Sequence, residues 1–244
     1  MGAAPRWQPL AQTRTYERVL DQIEEQIMSG DLGVGDRLPP ERELASMLGV
    51  SRAAIREALR VLEAQGVLRR PQVGTGPDSG SVIAGTPSLG LSRLLRLHVA
   101  LANFPIDDVV EARTTMERAS ARLAASHATD DHLSHMRRLL DRMDDLGLSR
   151  EEFNDLDTEF HVVLAEAAGN RLVADMTIAL REAMRHTLLA AFGKIDDWAD
   201  AAAKLRSEHR AVLDAVVAGD GQAAADRVEA HIRRFYRTVD AVGR

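Results

Sequence analysis

LPPERELASMLGVSRAAIREALRVLEAQGVL, residues Leu38 to Leu68, reads as two helices joined by a tight turn. Leu44, Ala45 and Leu48 stand at helical spacing and Gly49 supplies a turn. Ser51 occupies an N-cap position, where its hydroxyl can accept a bond from an otherwise unpaired backbone N–H. Ile55, Ala58, Leu59 and Leu62 then form one apolar stripe at helical periodicity. Arg52, Arg56 and Arg60 recur every four residues on a neighbouring face, which predicts a helix-turn-helix with an arginine row on the helix that enters a major groove. An ordinary amphipathic helix pair with a solvated basic face has the same arginines, so the continuation matters. Gly66 ends the helix, Val67-Leu68 reads as a short strand, and Arg69-Arg70 follows. After a Gly/Pro-rich loop, Ser81-Val82-Ile83 reads as a second strand. Helix, helix and β-hairpin make a winged helix, whose basic wing can reach phosphates or the minor groove.

This segment resembles the DNA-binding domain of the GntR family of bacterial transcription regulators. The matching residues are GDRLPPERELA (Gly35 to Ala45), LGVSR (Leu48 to Arg52), IREAL (Ile55 to Leu59) and LEAQGVL (Leu62 to Leu68). The resemblance implies contacts to operator DNA from Arg42, Arg52 and Arg56, supported by Ser51, Ala53 and the wing residues Gln72 and Gly74. The chain departs from the family twice. Pro39-Pro40 stand where a small hydroxyl residue usually opens the second helix; proline suits a first turn, but a side-chain cap is missing. The wing loop, Pro71 to Gly80, is longer and richer in glycine than the usual tight wing.

Outward from this core, Tyr16 to Met28 reads as a helix that packs on the helix-turn-helix through Tyr16, Val19, Leu20, Ile23 and Ile27. Ser29 to Asp36 reads as a loop by its glycines. At 244 residues the chain is long enough for two domains with separate cores. The expected division is a loose N-terminus (1–12), the winged helix-turn-helix (13–84), a Gly/Pro/Ser linker (85–92) and a second domain (93–240). A composition 45% hydrophobic and 28% charged suits a soluble globular protein. No apolar run approaches the ~20 residues that span a bilayer, and no signal-peptide core is present, so a cytoplasmic location is expected. The absence of cysteine excludes disulfides, thiolate-bound zinc and thiol catalysis. A net charge of −6 argues against bulk coating of nucleic acid, yet from Arg52 to Arg70 five arginines face only Glu57 and Glu63. The basic footprint is local.

Beyond Leu91 the sequence alternates helical patterns with short punctuation. Helices are predicted over Leu91 to Leu101, Ile106 to His127, Asp130 to Leu146, from Ser149 to Gly169-Asn170, Arg171 to Phe192, Asp197 to Ala218 and Gln222 to Val239. Ser149 with Glu152 forms a capping box. The fold class is therefore mainly α, a winged helix-turn-helix of three helices and a β-hairpin followed by an all-α bundle of six or seven helices.

Two spacings in the second domain carry chemistry. Asp157 and His161 are four apart on one helix and share a face, as two ligands of one metal ion often do. His209 and His231 each lie eleven residues from Asp220, the centre of the Gly219-Asp220-Gly221 turn. In an antiparallel hairpin that places them opposite one another, roughly 16 Å from the turn at 1.5 Å per residue. If the Asp157 helix packs on that hairpin, three imidazoles and a carboxylate converge, a donor set suited to Zn²⁺, Ni²⁺ or Mn²⁺. Four unrelated polar residues remain the alternative. Arg113 continues the stripe of Val109 and Val110, and an arginine facing a core needs an anion. Glu117, one turn on, could be that anion; a small ligand's carboxylate, gripped by the guanidinium fork, is the other reading. Arg185 is a further pocket candidate, His98 and His186 are core or pocket residues, and His132 and His135 lie on a polar face.

This half resembles the FCD ligand-sensing domain of the FadR subfamily. The resemblance rests on DDVVEARTTMERASARLAA (Asp107 to Ala125), NDLDTEFHVVLAEAAGN (Asn154 to Asn170), SEHRAVLDAV (Ser207 to Val216) and AADRVEAHI (Ala224 to Ile232). It implies a divalent metal on Asp157, His161, His209 and His231, with a small organic acid beside it held by Arg113. The function implied is a homodimeric transcription regulator, by expectation a repressor, on a palindromic operator. A hydrolase would need an open coordination position and a general base, and four protein ligands with no second carboxylate so placed argue against it. A constitutive DNA-binding protein with a structural metal is the other rival.

Overall fold

The structure, a computed structural model, describes residues 15–69, 81–84, 88–102 and 104–242. The chain divides into two compact units, Met1–Gly90 and Leu91–Arg244. In the first, α1 (Thr15–Ser29), α2 (Glu41–Leu48) and α3 (Arg52–Ala64) surround a core of Val19, Ile23, Leu44, Ile55, Leu59 and Leu62. Ser51 Oγ accepts the Ala54 N–H at 3.2 Å and caps α3, whereas Pro40 opens α2 without a side-chain bond. Gly49 ends α2 at φ 64°, a left-handed conformation that costs glycine nothing. Strands β1 (Leu68–Arg69) and β2 (Val82–Ile83) pair antiparallel, Leu68 opposite Ile83.

One feature of the first unit departs from the loop expected before α2. Gly35 N–H donates to the Ile83 carbonyl, Ile83 N–H to Asp36 and Leu38 N–H to Ser81, with Arg37 bridged to Val82. The end of the glycine-rich run thus pairs with β2 on the edge away from β1. Glycine density hid this pairing, because strand patterns are read from side chains and these residues contribute backbone. The expected linker is also shorter at its C-terminal side, since α4 (Ser88–Ala102) begins within it.

The second unit is all helix, α4 followed by α5 (Ile106–His127), α6 (Asp130–Met143), α7 (Arg150–Glu166), α8 (Arg171–Gly193), α9 (Trp198–Val217) and α10 (Gly221–Val242). Helix α5 packs against α7, α8, α9 and α10, so polar groups on its inner face lie in the middle of the bundle. Around them the core is made of residues such as Phe153, Phe160, Leu164, Met184, Val212 and Ile232. Ser149 and Glu152 form the expected capping box on α7. His132 has a role its polar face did not suggest, accepting the Thr129 N–H through Nδ1 at 3.2 Å in a second capping box.

The α9–α10 turn is set by a close approach. A Cβ on Gly221 would stand 2.7 Å from the Arg122 carbonyl oxygen of α5. Alanine normally favours a helix, but here it must push α10 away from backbone. Gly221→Ala is therefore expected to destabilise the protein, by roughly 1–3 kcal/mol on the scale of overpacking, readable as a lower urea midpoint.

Candidate functional site

On the first unit, Arg42, Ser51, Arg52, Ala53 and Arg56 are all exposed, on α2 and the start of α3. Arg56 reaches Glu41 of α2 at 3.3 Å, with both side chains substantially exposed. Exposed pairs of this kind contribute little, so Arg56 can exchange Glu41 for a phosphate or base at small cost. Gln72 and Gly74 lie outside the described residues.

In the second unit, Asp157, His161, His209 and His231 are all buried, and one ligand atom from each lies within 4.8 Å of the others. His209 Nε2 stands 3.1 Å from Asp157 Oδ1 and 3.2 Å from His161 Nε2, while His161 Nε2 is 4.0 Å from Asp157 Oδ1. The His209 and His231 ring centroids are 4.6 Å apart, as their equal distance from the turn requires. Carboxylates hold two of the rings from behind. Glu117 Oε2 lies 2.5 Å from His161 Nδ1, and Glu208 Oε2 lies 2.8 Å from His231 Nδ1. Glu208 is in hydrogen-bond contact with His231 Nδ1, whereas Glu117 lies against His161 Nδ1 as a close charge contact without hydrogen-bond alignment.

A buried charge network surrounds the cluster. Arg113 Nε donates to Glu117 Oε1 at 2.6 Å, so the intrahelical pairing is present. Arg181, buried on α8, donates to Glu117 Oε1 and Oε2 at 3.1 and 3.3 Å and also binds Asp157 Oδ2. Two arginines thus balance two carboxylates. Burial alone would raise the Glu117 and Asp157 carboxyls; the arginines outweigh it and hold both well below the usual carboxylate range. For His161, burial and then Arg181 push the imidazole down to about 3 against the pull of Glu117. Burial, followed by His231, likewise lowers His209. His161 and His209 thus stand as neutral rings, the form a metal needs.

Beside the cluster lies a cavity of about 10 Å³, lined by Arg113, Asp157, His231, Leu188, Phe192, Leu205 and Phe235, with room for about one water. The bond to Glu117 uses Arg113 Nε; NH1 reaches Tyr236 Oη at 3.5 Å. Because Arg181 also holds Glu117, that carboxylate keeps a partner if Arg113 turns to an incoming anion.

Known proteins agree with both halves. Residues 15–76 match the sequence profile described as "Bacterial regulatory proteins, gntR family", and residues 108–234, more than half the chain, match that of the FCD domain. The chain belongs to the GntR family. It is 28% identical over 263 residues to the "HTH-type transcriptional repressor NanR" of Salmonella newport (strain SL254), covering all of this chain and 92% of that protein. NanR of Klebsiella aerogenes is also 28% identical, over 258 residues, with the same coverage. Among solved structures, Streptococcus agalactiae GntR superposes with a TM-score of 0.60 at 26% identity, covering 91% of this chain and 99% of that one.

This GntR-family chain is thus a DNA-binding transcription regulator of the FadR-like type rather than an enzyme, and its FCD domain holds a cluster able to bind a metal ion. At metal–ligand distances of about 2.0–2.2 Å, neighbouring ligand atoms around one ion stand roughly 3–3.5 Å apart, close to the spacings of His209 Nε2. The His209 Nδ1 atom is buried without a hydrogen-bond partner. The Nε2 atoms of His161 and His209 and Oδ1 of Asp157 thus crowd one buried point, as ligand atoms around a cation do. The donor set fits a divalent ion.

Arg185 is placed elsewhere. It pairs with Asp155 on a partly exposed face of the regulator and does not line the cavity at the cluster. His186 and His98 are exposed rather than core, His98 standing edge-on to Phe104. Arg181 and Glu208 were missed in the sequence. Arg181 had a signal: with Thr177, Met184 and Leu188 it continues a buried stripe, as Arg113 does on α5.

Among the described residues no helix is long and apolar enough to cross a membrane.

Proposed function

We propose that this regulator is a repressor whose operator affinity is set by a small organic acid bound beside a divalent metal in the FCD domain. The convergence of Asp157, His161, His209 and His231, with Arg113 on the adjoining cavity, carries this reading. The four residues hold the ion, with Zn²⁺, Ni²⁺ and Mn²⁺ all suited to the donor set. When bound, it supplies a Lewis-acidic point for the carboxylate of the ligand. Arg113 binds the same carboxylate through its fork, Glu117 and Glu208 fix the rings of His161 and His231, and Arg181 keeps Asp157 ionised. The repressor role is supported by the names of the NanR relatives.

The operator is double-stranded and palindromic, read by two copies of the chain in the cytoplasm. Arg42, Arg52 and Arg56 contact bases or flanking phosphates, Ser51 and Ala53 lie at the start of the recognition helix, and Gln72 and Gly74 of the wing complete the contact. An exposed stripe on α4, Leu94, Leu97 and Leu101, supports a homodimer, since such a face favours a partner. Arg52→Ala is expected to weaken operator binding by roughly 1–3 kcal/mol, about tenfold or more, and to relax sequence preference at one base pair. A fluorescence-anisotropy titration at fixed salt, with single-base variants of the site, measures both.

The effector is found by thermal shift of metal-loaded protein against small mono- and dicarboxylates and sugar acids. A ligand at 100 times its Kd stabilises by about 2.7 kcal/mol. The shift should vanish in Arg113→Ala while metal binding persists. A hit that survives both Arg113→Ala and chelation contradicts this assignment.

A further inference from the structure

The cavity beside the cluster has room for about one water, less than a carboxylate head needs, so an acid that binds there must widen it. A second hollow adjoins it. Between α9 and α10 lies a groove of about 240 Å³, and its wall includes Leu205 and Phe235, the same side chains that bound the inner cavity. Both are buried, Phe235 edge-on to Phe192 and Tyr236, and together they form an apolar partition between inner cavity and groove. Glu208 lines the groove, binds Arg234 there, and accepts from the Nδ1 of His231 behind the partition.

The groove has its own chemistry. Its floor is apolar, from Ile195, Ala201, Leu205 and Phe235, while Asp196, Asp197 and Asp200 stand on its rim. The two basic groups present are already engaged, Lys204 with Asp200 at 2.6 Å and Arg234 with Glu208. The rim therefore presents net negative charge to a ligand that enters.

We infer that this groove is the outer half of the effector site, reached by displacement of Leu205 and Phe235, and that it selects acids whose far end carries an ammonium or hydroxyl group. This rests on the reading that the acid head binds beside the metal cluster. A carboxylate at Arg113 and the cluster would send an apolar stem of several carbons between Leu205 and Phe235. Its remote donor would then meet a rim on which Asp196 and Asp197 leave negative charge beyond the Asp200–Lys204 and Glu208–Arg234 pairs. A second acidic group at that end meets like charge instead.

The test uses full-length protein loaded with Co²⁺, whose visible absorption reports an added ligand. Acetate probes the inner cavity alone; 6-aminohexanoate and adipate are six-carbon acids that differ at the far end. Wild type should bind 6-aminohexanoate at least tenfold more tightly than adipate. Ala201→Trp, which fills the groove, should remove that advantage and leave acetate binding within twofold. Asp200→Lys, an exposed change that needs no repacking, should shift the preference towards adipate. If the cobalt spectrum responds to the acids but neither variant alters the preference, or if adipate equals 6-aminohexanoate in wild type, the groove is not part of the site and the inner reading stands alone. No spectral response to any of the three acids overturns the inner reading and this inference with it.

Discussion

Arg181→Ala is expected to lower the stability of the metal-free protein by about 3–5 kcal/mol, the cost of removing one partner from a buried ion network. Arg181 is 1% exposed and joins Glu117 of α5 to Asp157 of α7 from its position on α8. Without it, two buried carboxylates share one guanidinium, and the Oδ2 of Asp157 loses the ion pair that offsets its burial. One carboxyl must then take up a proton or draw water into the bundle. A metal ion restores positive charge at Asp157 but not at Glu117, so the loss should be smaller in metal-loaded protein. Arg181→Lys keeps the charge, yet an ammonium cannot span both carboxylates as the fork does, and an intermediate loss is expected. Urea unfolding with and without metal measures each value. A loss below about 1 kcal/mol for Arg181→Ala would mean that the pairing has no more weight than a surface salt bridge.

If the cluster holds the proposed ion, its removal is expected to have a comparable effect by a different route. An ion present at 1,000 times its Kd stabilises the folded state by about 4.1 kcal/mol, because the unfolded chain has no preformed site. For a protein of this size each kcal/mol moves the midpoint by roughly 2–4 °C, so chelation should lower the transition of the FCD domain by roughly 8–16 °C. The winged-helix unit has its own core and no share of the four ligands, so its unfolding should not move. His209→Ala should abolish the difference between chelated and metal-loaded protein. Calorimetry that resolves the two units reads both outcomes. Equal shifts in wild type and His209→Ala would place the ion at another site.

What the sequence disclosed about the site follows from geometry internal to single helices and one turn. Asp157 and His161 lie four apart, and the Gly219-Asp220-Gly221 turn brought His209 opposite His231 because a hairpin preserves register. Arg113 was legible as a buried cation; of the two anions considered for it, Glu117 is bound to it, and a water-sized cavity adjoins it. Arg181 could have been found by the same reasoning, since it interrupts a buried stripe on α8.

Other features depended on packing between elements. Glu208 precedes His209 in the sequence, but its partner is His231 on the next helix, a contact that helical spacing does not reveal. Arg185 pairs with Asp155 and lines a separate hollow between α7 and α8, away from the cluster, a placement that depends on how the two helices pack. In the winged helix, apolar periodicity and the Ser51 cap disclosed α2 and α3. The pairing of Gly35 to Leu38 with β2 is carried by backbone alone and left no side-chain pattern to read.

The most direct test of the metal site at the centre of this account is calorimetric titration of Zn²⁺ into chelated full-length protein, repeated with His231→Ala and Asp157→Ala. One tight equivalent per chain is expected in wild type, with the loss of that equivalent in both variants. A wild-type protein that takes up no ion, or variants that bind it as wild type does, would contradict the metal site.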